Sequence, residues 1–181
     1  LARDEKVLYL TLEEFSALSA LTATVYTSGL SDLLYYYTQR EYNPVRLGGV
    51  TYNWGGLDYI PPLTNAEDKN GISQAGFAGL VRRIASDGVY ETLVLDVGMF
   101  CGGAEEVLSV CDLIYVPVME DVVSTAKLEA WKEYLKRSGR SVIWEKLRFL
   151  KLPRPGQALV RENYLEQLLW GELGDFVREL R

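Results

Sequence analysis

The chain has 181 residues, with 19 Lys or Arg and 25 Asp or Glu, so its formal net charge is −6. At roughly 100–200 residues per domain, this length can bury a hydrophobic core, and we expect one domain over residues 1–181. The chain has no histidine, which excludes Ser-His-Asp triads, Cys-His dyads and histidine-ligated metal sites. Its acidic balance argues against binding to nucleic acid, because such binding needs Lys and Arg to neutralise phosphates.

The cysteines and the hydropathy pattern indicate a cellular compartment. Cys101 and Cys111 are too few for a secreted disulfide framework, and they do not form a CxxC pair. The apolar runs are far shorter than the roughly 20 residues that cross a bilayer, and the N-terminus has no signal-peptide pattern. We therefore expect a cytoplasmic protein that does not insert into membranes.

Five short apolar segments alternate with helix-like stretches along the chain. The predicted strands are residues 7–12, 57–60, 92–95, 113–118 and 147–150. The predicted helices lie near residues 31–41, 73–87, 103–110, 120–138 and 162–180. Most apolar segments are continuous rather than alternating, which is typical of strands covered on both faces. The pattern predicts an α/β fold, a doubly wound and mostly parallel sheet with helices on both faces.

Several element boundaries have a local physical reason. Ser31 followed by Asp32 predicts the start of a helix. Gly139 follows cationic residues and predicts a helix end, because glycine tolerates positive φ. The glycine-rich segment 43–56 is predicted to be a loop or a small hairpin.

The last predicted helix has an apolar stripe and an acidic opposite face. The stripe includes Leu169, Leu173 and Phe176, and the polar face includes Glu172 and Asp175. Anionic lipid would repel these acids. We expect this helix to dock on the domain or on a partner protein rather than on a membrane.

Ligands of open parallel sheets bind outside the carboxyl ends of the strands. Asp96 ends an apolar strand and Gly98 follows it, a pattern by which many nucleotide-binding folds hold Mg²⁺ through water. Asp96 is therefore the strongest single candidate for a site residue. The alternative is a strand-terminal acid that only caps the following turn.

The weaker candidates also lie at or just after strand ends. They are Glu13, Glu14, Gly102, Gly103, Glu120 and Asp121. Each has an ordinary structural interpretation as a solvated acid, a flexible loop glycine or an N-terminal helix acid. Cys101 has no identifiable base beside it that would make its thiol reactive.

The order of these motifs resembles the ParA/MinD group of P-loop ATPases, which carry a deviant Walker A motif. The segments 7–14, 92–98 and 111–121, with Ser124 and Lys127, carry the resemblance. Within the group, the chain is most similar to the TadZ/CpaE-like proteins of Flp-type pilus assembly and their Firmicutes relatives. The resemblance implies a P-loop NTPase fold that binds ATP and Mg²⁺, forms a homodimer and acts with protein components of a pilus or secretion apparatus.

The resemblance assigns roles at three positions. Asp96 matches the Walker B acid, which holds Mg²⁺ through water, and Glu13 falls where the family has the switch I aspartate that orients the attacking water. Gly98 supplies the flexibility that the family obtains from an Asp-x-Pro-x-Gly sequence, which is absent here. Thr11 stands where the family has a further aspartate. These departures put hydrolysis in doubt.

The P-loop itself is absent from the 181 residues, which contain neither Gly-x-x-x-x-Gly-Lys-Ser/Thr nor the deviant form. Leu1–Arg3 resembles the tail of the helix that follows this loop. We therefore expect an N-terminally truncated piece that does not bind ATP tightly alone, and whose missing strand lies beside the strand that ends at Asp96. The alternatives are a non-catalytic scaffold of the same fold and a flavodoxin-like or receiver-like domain.

Overall fold

The computed structural model describes residues 5–13, 16–65, 68, 72–98, 104–119, 121–153 and 164–180. The chain divides into an amino-terminal unit, Leu1–Val110, and a carboxy-terminal unit, Cys111–Arg181. The elements of the first unit are β1 (Val7–Thr11), α1 (Leu18–Thr22), α2 (Leu30–Thr38), α3 (Pro44–Gly49), β2 (Tyr52–Trp54), β3 (Leu57–Ile60), α4 (Gln74–Ser86), β4 (Thr92–Asp96) and α5 (Ala104–Val110). Those of the second are β5 (Ile114–Pro117), α6 (Val122–Arg137), α7 (Ser141–Glu145), β6 (Leu147–Leu150), α8 (Tyr164–Trp170) and α9 (Glu172–Glu179).

The amino-terminal unit is built on a four-stranded sheet in the order β2-β3-β1-β4. Strand β1 is parallel to both β3 and β4, and β2 joins β3 as an antiparallel hairpin. Gly55 and Gly56 have φ of 57° and 90° at the hairpin turn, a conformation that glycine adopts without steric cost. The mostly parallel α/β architecture confirms the predicted fold class, and all five predicted strands are present.

The core of this unit surrounds β1. Successive strand residues point to opposite faces of a sheet, and Val7, Leu8, Leu10 and Thr11 are all buried. Strand β1 is therefore covered on both faces, as its continuous apolar run predicts. The other buried apolar side chains of this core include Leu33, Leu47, Ile60, Leu80 and Ile84.

One local prediction for this unit was wrong, and another was right only in part. Helix α2 begins one residue before Ser31, and its N-cap is Gly29, whose N–H donates to the Asp32 carboxylate at 2.9 Å. Ser31 instead donates its hydroxyl to Asp68 at 2.6 Å. The segment 43–56, predicted to be a loop or a small hairpin, does contain the turn of the β2–β3 hairpin. It also contains a short helix, α3, because the Asn43 side chain caps two backbone N–H groups at 3.0 Å and Pro44 has a φ suited to the first helical turn.

The carboxy-terminal unit has a two-stranded parallel sheet, β5 with β6. Leu135 of α6 and Ile143 of α7 are fully buried in it. Helix α6 begins at the N-cap Asp121 and ends at Ser138, just before Gly139, which has φ of 71°. Both ends agree with the sequence analysis.

The predicted continuous helix 162–180 is two helices, α8 and α9, separated by Gly171. Gly171 is the N-cap of α9, and a Cβ at this position would lie 2.5 Å from the Gln167 carbonyl oxygen. The Arg178 guanidinium donates to the Leu169 carbonyl at 2.8 Å and to Asp175 at 2.6 Å, so it ties the two helices together. No described residue of either helix is buried.

Within the described part of the chain, no helix has the length and apolar character needed to span a bilayer.

Candidate functional site

Asp96 is the last residue of β4, and both of its carboxylate oxygens accept hydrogen bonds. The Gly98 N–H donates to Oδ1 at 3.2 Å, and the Tyr9 hydroxyl donates to Oδ2 at 2.8 Å. The Leu12 N–H donates to the Asp96 carbonyl at 2.7 Å, which extends the pairing of the two strands past β1. A carboxylate can accept about four hydrogen bonds, so Asp96 retains acceptor capacity for a further donor such as a metal-bound water.

Tyr9 is a further residue of the candidate site that the sequence did not indicate. It lies in β1 two residues before Thr11, the register partner of Asp96, and strand residues two apart share a face. Its ring therefore lies diagonally beside the Asp96 side chain. Burial, and next the hydrogen bond to Asp96, raise the pKa of Tyr9 above its ordinary value, so its hydroxyl stays a neutral donor. No local sequence signal identifies it, because its position beside Asp96 depends on the pairing of β1 with β4.

Gly98 and Glu13 are in close contact at the same end of the sheet. Gly98 has φ of 65°, and a Cβ built on it would lie 2.6 Å from Glu13 Cγ. Glycine is therefore required here both by backbone conformation and by the close approach of Glu13. The structure thus brings the predicted site residues Glu13, Asp96 and Gly98 together.

Thr11 shows how the chain accommodates a departure from the resembled family. Its side chain is only 1% exposed, and its hydroxyl oxygen accepts the Glu13 N–H at 3.3 Å. A threonine hydroxyl can accept this hydrogen bond in a buried position without carrying a charge. An aspartate here would place a charged carboxylate away from water, which is energetically costly. Thr11 therefore shapes the turn that carries Glu13.

The site offers two carboxylates, those of Asp96 and Glu13, and not a complete metal cage. Among the described residues, no three acidic, cysteine or histidine side chains cluster closely enough to hold a metal ion. This donor set excludes a Ca²⁺ or Zn²⁺ site formed by these residues alone. It fits Mg²⁺, which keeps several waters and is bound through one or two carboxylates together with substrate phosphates.

The other candidates lie elsewhere or outside the described residues. Asp121 accepts the N–H groups of Val123 and Ser124 at 2.8 and 2.9 Å. These bonds, led by those from Ser124, lower its pKa, and its position agrees with a helix-capping role. Burial raises the pKa of the Cys111 thiol, which disfavours a reactive thiolate. The candidates outside the described residues are Glu14, Cys101, Gly102, Gly103 and Glu120, together with the segment Leu1–Arg3.

The sequence matches no protein-family model, and no curated protein matches it. The structure has clear relatives. A ParA family ATPase from Chlorobium tepidum matches 98% of the chain over 82% of its own length, with 16% identity and a TM-score of 0.67. The cell division protein MinD of Aquifex aeolicus matches 98% of the chain, with 13% identity and a TM-score of 0.58.

A third relative is the septum site-determining protein MinD of Pyrococcus horikoshii in complex with Mg-ADP. It matches 81% of the chain with 13% identity and a TM-score of 0.56. The chain spans 66% of the Aquifex MinD and 56% of the Pyrococcus MinD. At these identities the similarity establishes architecture, and the fold of the chain is that of the ParA and MinD ATPases.

Proposed function

We propose that this chain forms the part of an ATP- and Mg²⁺-binding, ParA/MinD-like domain that carries the Walker B acid and the switch I acid. The observation that carries the proposal is the grouping of Tyr9, Asp96, Gly98 and Glu13 at the carboxyl ends of two adjacent parallel strands. Ligands of open α/β sheets bind at such strand ends.

Asp96 is the residue that we assign to Mg²⁺. Tyr9 and Gly98 fix the carboxylate by one hydrogen bond to each oxygen, so it is already oriented before a ligand arrives. Bound Mg²⁺ would neutralise charge on the nucleotide phosphates, and Asp96 would accept hydrogen bonds from its water shell. Because one carboxylate is a weak Mg²⁺ site, we expect Mg²⁺ to bind together with the nucleotide and not alone.

Glu13 is assigned to turnover. Its side chain packs against Gly98, and the Gly98 N–H also donates to Asp96. A movement of Gly98 would therefore shift the side chains of both Glu13 and Asp96. A carboxylate at this position can orient an attacking water. The enclosed Thr11 offers no second carboxylate beside it, which supports slow or absent hydrolysis.

The phosphate-binding loop belongs, in this proposal, to polypeptide that precedes Leu1. Within the described residues, β4 pairs with β1 and with no second strand, and none of the five β4 residues is buried. A strand beside β4 would place a P-loop near Asp96. The domain would then be a single ParA/MinD-like unit of which the 181 residues are the larger part.

The biological setting that we propose is the spatial positioning or assembly of a pilus or secretion machine in the cytoplasm, by a homodimer acting with protein partners. The half-exposed apolar side chains of α8 and α9, Leu169, Trp170 and Val177, support a protein-docking role. A scaffold that keeps the fold without catalysis is the second candidate, and the replacement of an acid by Thr11 favours it.

The test is Mg²⁺-dependent ATP binding, measured by calorimetry on the 181-residue chain and on a polypeptide extended upstream of Leu1. We expect tight binding only by the extended form, because backbone amides and a lysine around the phosphates supply most of the affinity. Asp96→Asn should weaken it, whereas Glu13→Gln should keep affinity and lower turnover.

Asp58→Asn is the matched control, because Asp58 also lies in a strand and accepts a tyrosine hydroxyl, from Tyr90 at 3.2 Å. Equal losses from the Asp96 and Asp58 variants would contradict the assignment. An extended form that binds no nucleotide would favour the scaffold.

A further inference from the structure

A cleft of about 550 Å³ lies in the amino-terminal unit and involves none of the residues of the strand-end site. It is lined by the end of α2 and the turn after it, and by the first and last turns of α4. Its volume is within the 300–1,000 Å³ range of small-molecule sites. The side chains that line it include those of Tyr37, Arg40, Tyr42, Ile72, Ser73 and Arg83.

The described lining of the cleft presents cations and hydroxyl groups. Among the eight described residues that line it, two are arginines and none is acidic, although the whole chain carries a net charge of −6. The nearby acid is Asp87, whose side chain is 6% exposed. Asp87 accepts the Tyr42 hydroxyl at 2.7 Å and pairs with Arg83 Nε at 3.4 Å, so it supports the wall of the cleft and does not face a ligand.

Arg40 supplies one of the two cations of the cleft. It has φ of 60°, in the left-handed region that glycine or asparagine usually occupies after a helix. Among the described residues, its exposed guanidinium has no hydrogen-bond or ion-pair partner. This conformation ends α2 in the ordinary way, since the Glu41 N–H donates to the Tyr36 carbonyl at 2.8 Å. What Arg40 contributes to the cleft is a cation without a partner among the described residues.

Arg83 and Ser73 add further donors. Arg83 uses Nε for Asp87, and its guanidinium lies 5.8 Å from the centroid of the Tyr42 ring, which leaves its two terminal NH₂ groups available. Ser73 caps α4 by accepting the Gly76 N–H at 3.1 Å, so its hydroxyl proton is free to donate. Together, two guanidinium groups and a hydroxyl suit an oxyanion with more than two oxygens.

The remaining surface of the cleft is aromatic and aliphatic. Tyr37 and Tyr42 meet edge to face with ring centroids 6.4 Å apart, and Ile72 lies beside them. The Tyr37 hydroxyl can approach α4 because residue 79 is glycine, where a Cβ would lie 2.5 Å from it. This surface suits a flat or apolar group attached to the anion.

We propose that the cleft binds a small organic phosphate monoester, with the phosphate on Arg40, Arg83 and Ser73 and the organic part against Tyr37, Tyr42 and Ile72. Phosphate is favoured over carboxylate because one arginine fork already satisfies the two oxygens of a carboxylate. The proposal does not depend on the nucleotide site, since it uses neither Mg²⁺ nor Asp96.

The experiment titrates the full chain with phenyl phosphate in EDTA and follows backbone amide shifts by NMR, with benzoate and inorganic phosphate as parallel probes. Saturable shifts should cluster at Arg40, Ser73 and Gly76, and phenyl phosphate should bind more tightly than either other probe. Arg40→Gly keeps the backbone conformation and removes the cation. It should weaken binding about tenfold, the effect of losing a charge-assisted hydrogen bond.

The matched control is Arg82→Gln, which removes the same charge from the neighbouring position on α4, outside the cleft lining. It should change affinity by less than about twofold. Absence of saturable shifts in the wild type, or equal weakening by Arg82→Gln and Arg40→Gly, would overturn the proposal. So would loss of phenyl phosphate binding on Asp96→Asn, because the probe would then occupy the strand-end site.

Discussion

Strands β1 and β4 are equal in length, lie side by side in register and have similar apolar sequences, VLYLT and TLVLD. Four of the five β1 residues are buried, whereas none of the β4 residues is, and Val94 is 38% exposed. The difference follows from sheet position, since β1 has a strand on each side and β4 has one described neighbour. Two similar sequences therefore form a buried central strand, β1, and a partly exposed strand, β4.

The two strands also divide the site between them. Strand β1 brings Tyr9 and the turn with Glu13, and β4 brings Asp96 and the turn with Gly98. The buried strand is a rigid support, and the acid that we assign to Mg²⁺ lies on the exposed one.

The largest effect should come from the core of β1. Leu10 is 2% exposed and pairs in register with the half-buried Leu95 of β4. We expect Leu10→Ala to lower the free energy of unfolding by about 3 kcal/mol, because it leaves a cavity. Leu95→Ala should cost about half as much, since its surroundings are partly solvent. Urea unfolding of the two variants measures the difference, and equal losses would show that β4 is as buried as β1.

The second-largest loss of unfolding free energy should come from disturbing the contact between Gly98 and Glu13. Gly98→Ala should cost about 2 kcal/mol, since it combines a strained positive φ with a clash against Glu13. Gly88 is the control, because it has the same φ of 65° and nothing within 4 Å of its added Cβ. Gly88→Ala should cost about 1 kcal/mol.

A double-mutant cycle isolates the clash. Adding Glu13→Ala to Gly98→Ala should recover the difference between the two glycine variants, as measured by chemical denaturation. If Glu13→Ala restores nothing, the two turns do not touch.

Tyr9→Phe removes one of the two hydrogen bonds that orient Asp96. We expect a loss of about 1 kcal/mol in unfolding free energy, because the carboxylate keeps the Gly98 N–H and gains access to water. Tyr90→Phe removes a longer bond, 3.2 Å, from Asp58 and should cost less. In the upstream-extended polypeptide, only Tyr9→Phe should weaken Mg²⁺-ATP binding. An identical effect of both variants on nucleotide affinity would exclude Tyr9 as a positioning residue.

The smallest expected effect on stability is a pH dependence that arises at the opposite edge of the sheet, in β2. Hydrogen bonds donated by Thr27, first from its side chain and then from its backbone N–H at 3.0 Å, lower the pKa of Tyr52 on β2 to about 8. Because the folded pKa lies below the ordinary value of 10, the phenolate favours the fold. This contribution is absent below pH 8 and grows between pH 8 and pH 10.

Absorbance at the tyrosinate band should show one early ionisation that Tyr52→Phe abolishes. Other tyrosines, including Tyr9, Tyr42 and Tyr90, have raised pKa values because they are buried and should ionise later. A titration without a step near pH 8 would show that Thr27 does not donate hydrogen bonds to Tyr52 in solution.

The sequence alone predicts the five strands, because continuous apolar runs are typical of strands covered on both faces. It also predicts that Asp96 ends its strand, whereas its role as a site residue stays a prediction. It does not predict Tyr9, whose role depends on which strand lies beside β4, a long-range pairing that local pattern does not encode. The small helix α3 was taken for a loop because its glycines outweighed the Asn43 cap. The break at Gly171 was missed because the apolar stripe continues across it.

The cleft beside Arg40 also could not be predicted from the sequence. Its lining residues come from positions 37–42, 72–76 and 83, and nothing in a linear pattern indicates that the end of α2 meets α4. The positive φ of Arg40 is likewise a property of the folded backbone.

The central claim is that Asp96, Gly98 and Glu13 form one Mg²⁺-nucleotide site. Paramagnetic broadening tests it most directly, with Mn²⁺ replacing Mg²⁺ in the nucleotide complex of the upstream-extended polypeptide. We expect strong broadening of the backbone amides of Glu13 and Gly98 and little at Asp58 and Tyr90, with the pattern lost on Asp96→Asn. Broadening centred away from the ends of β1 and β4, or unchanged by Asp96→Asn, would contradict it.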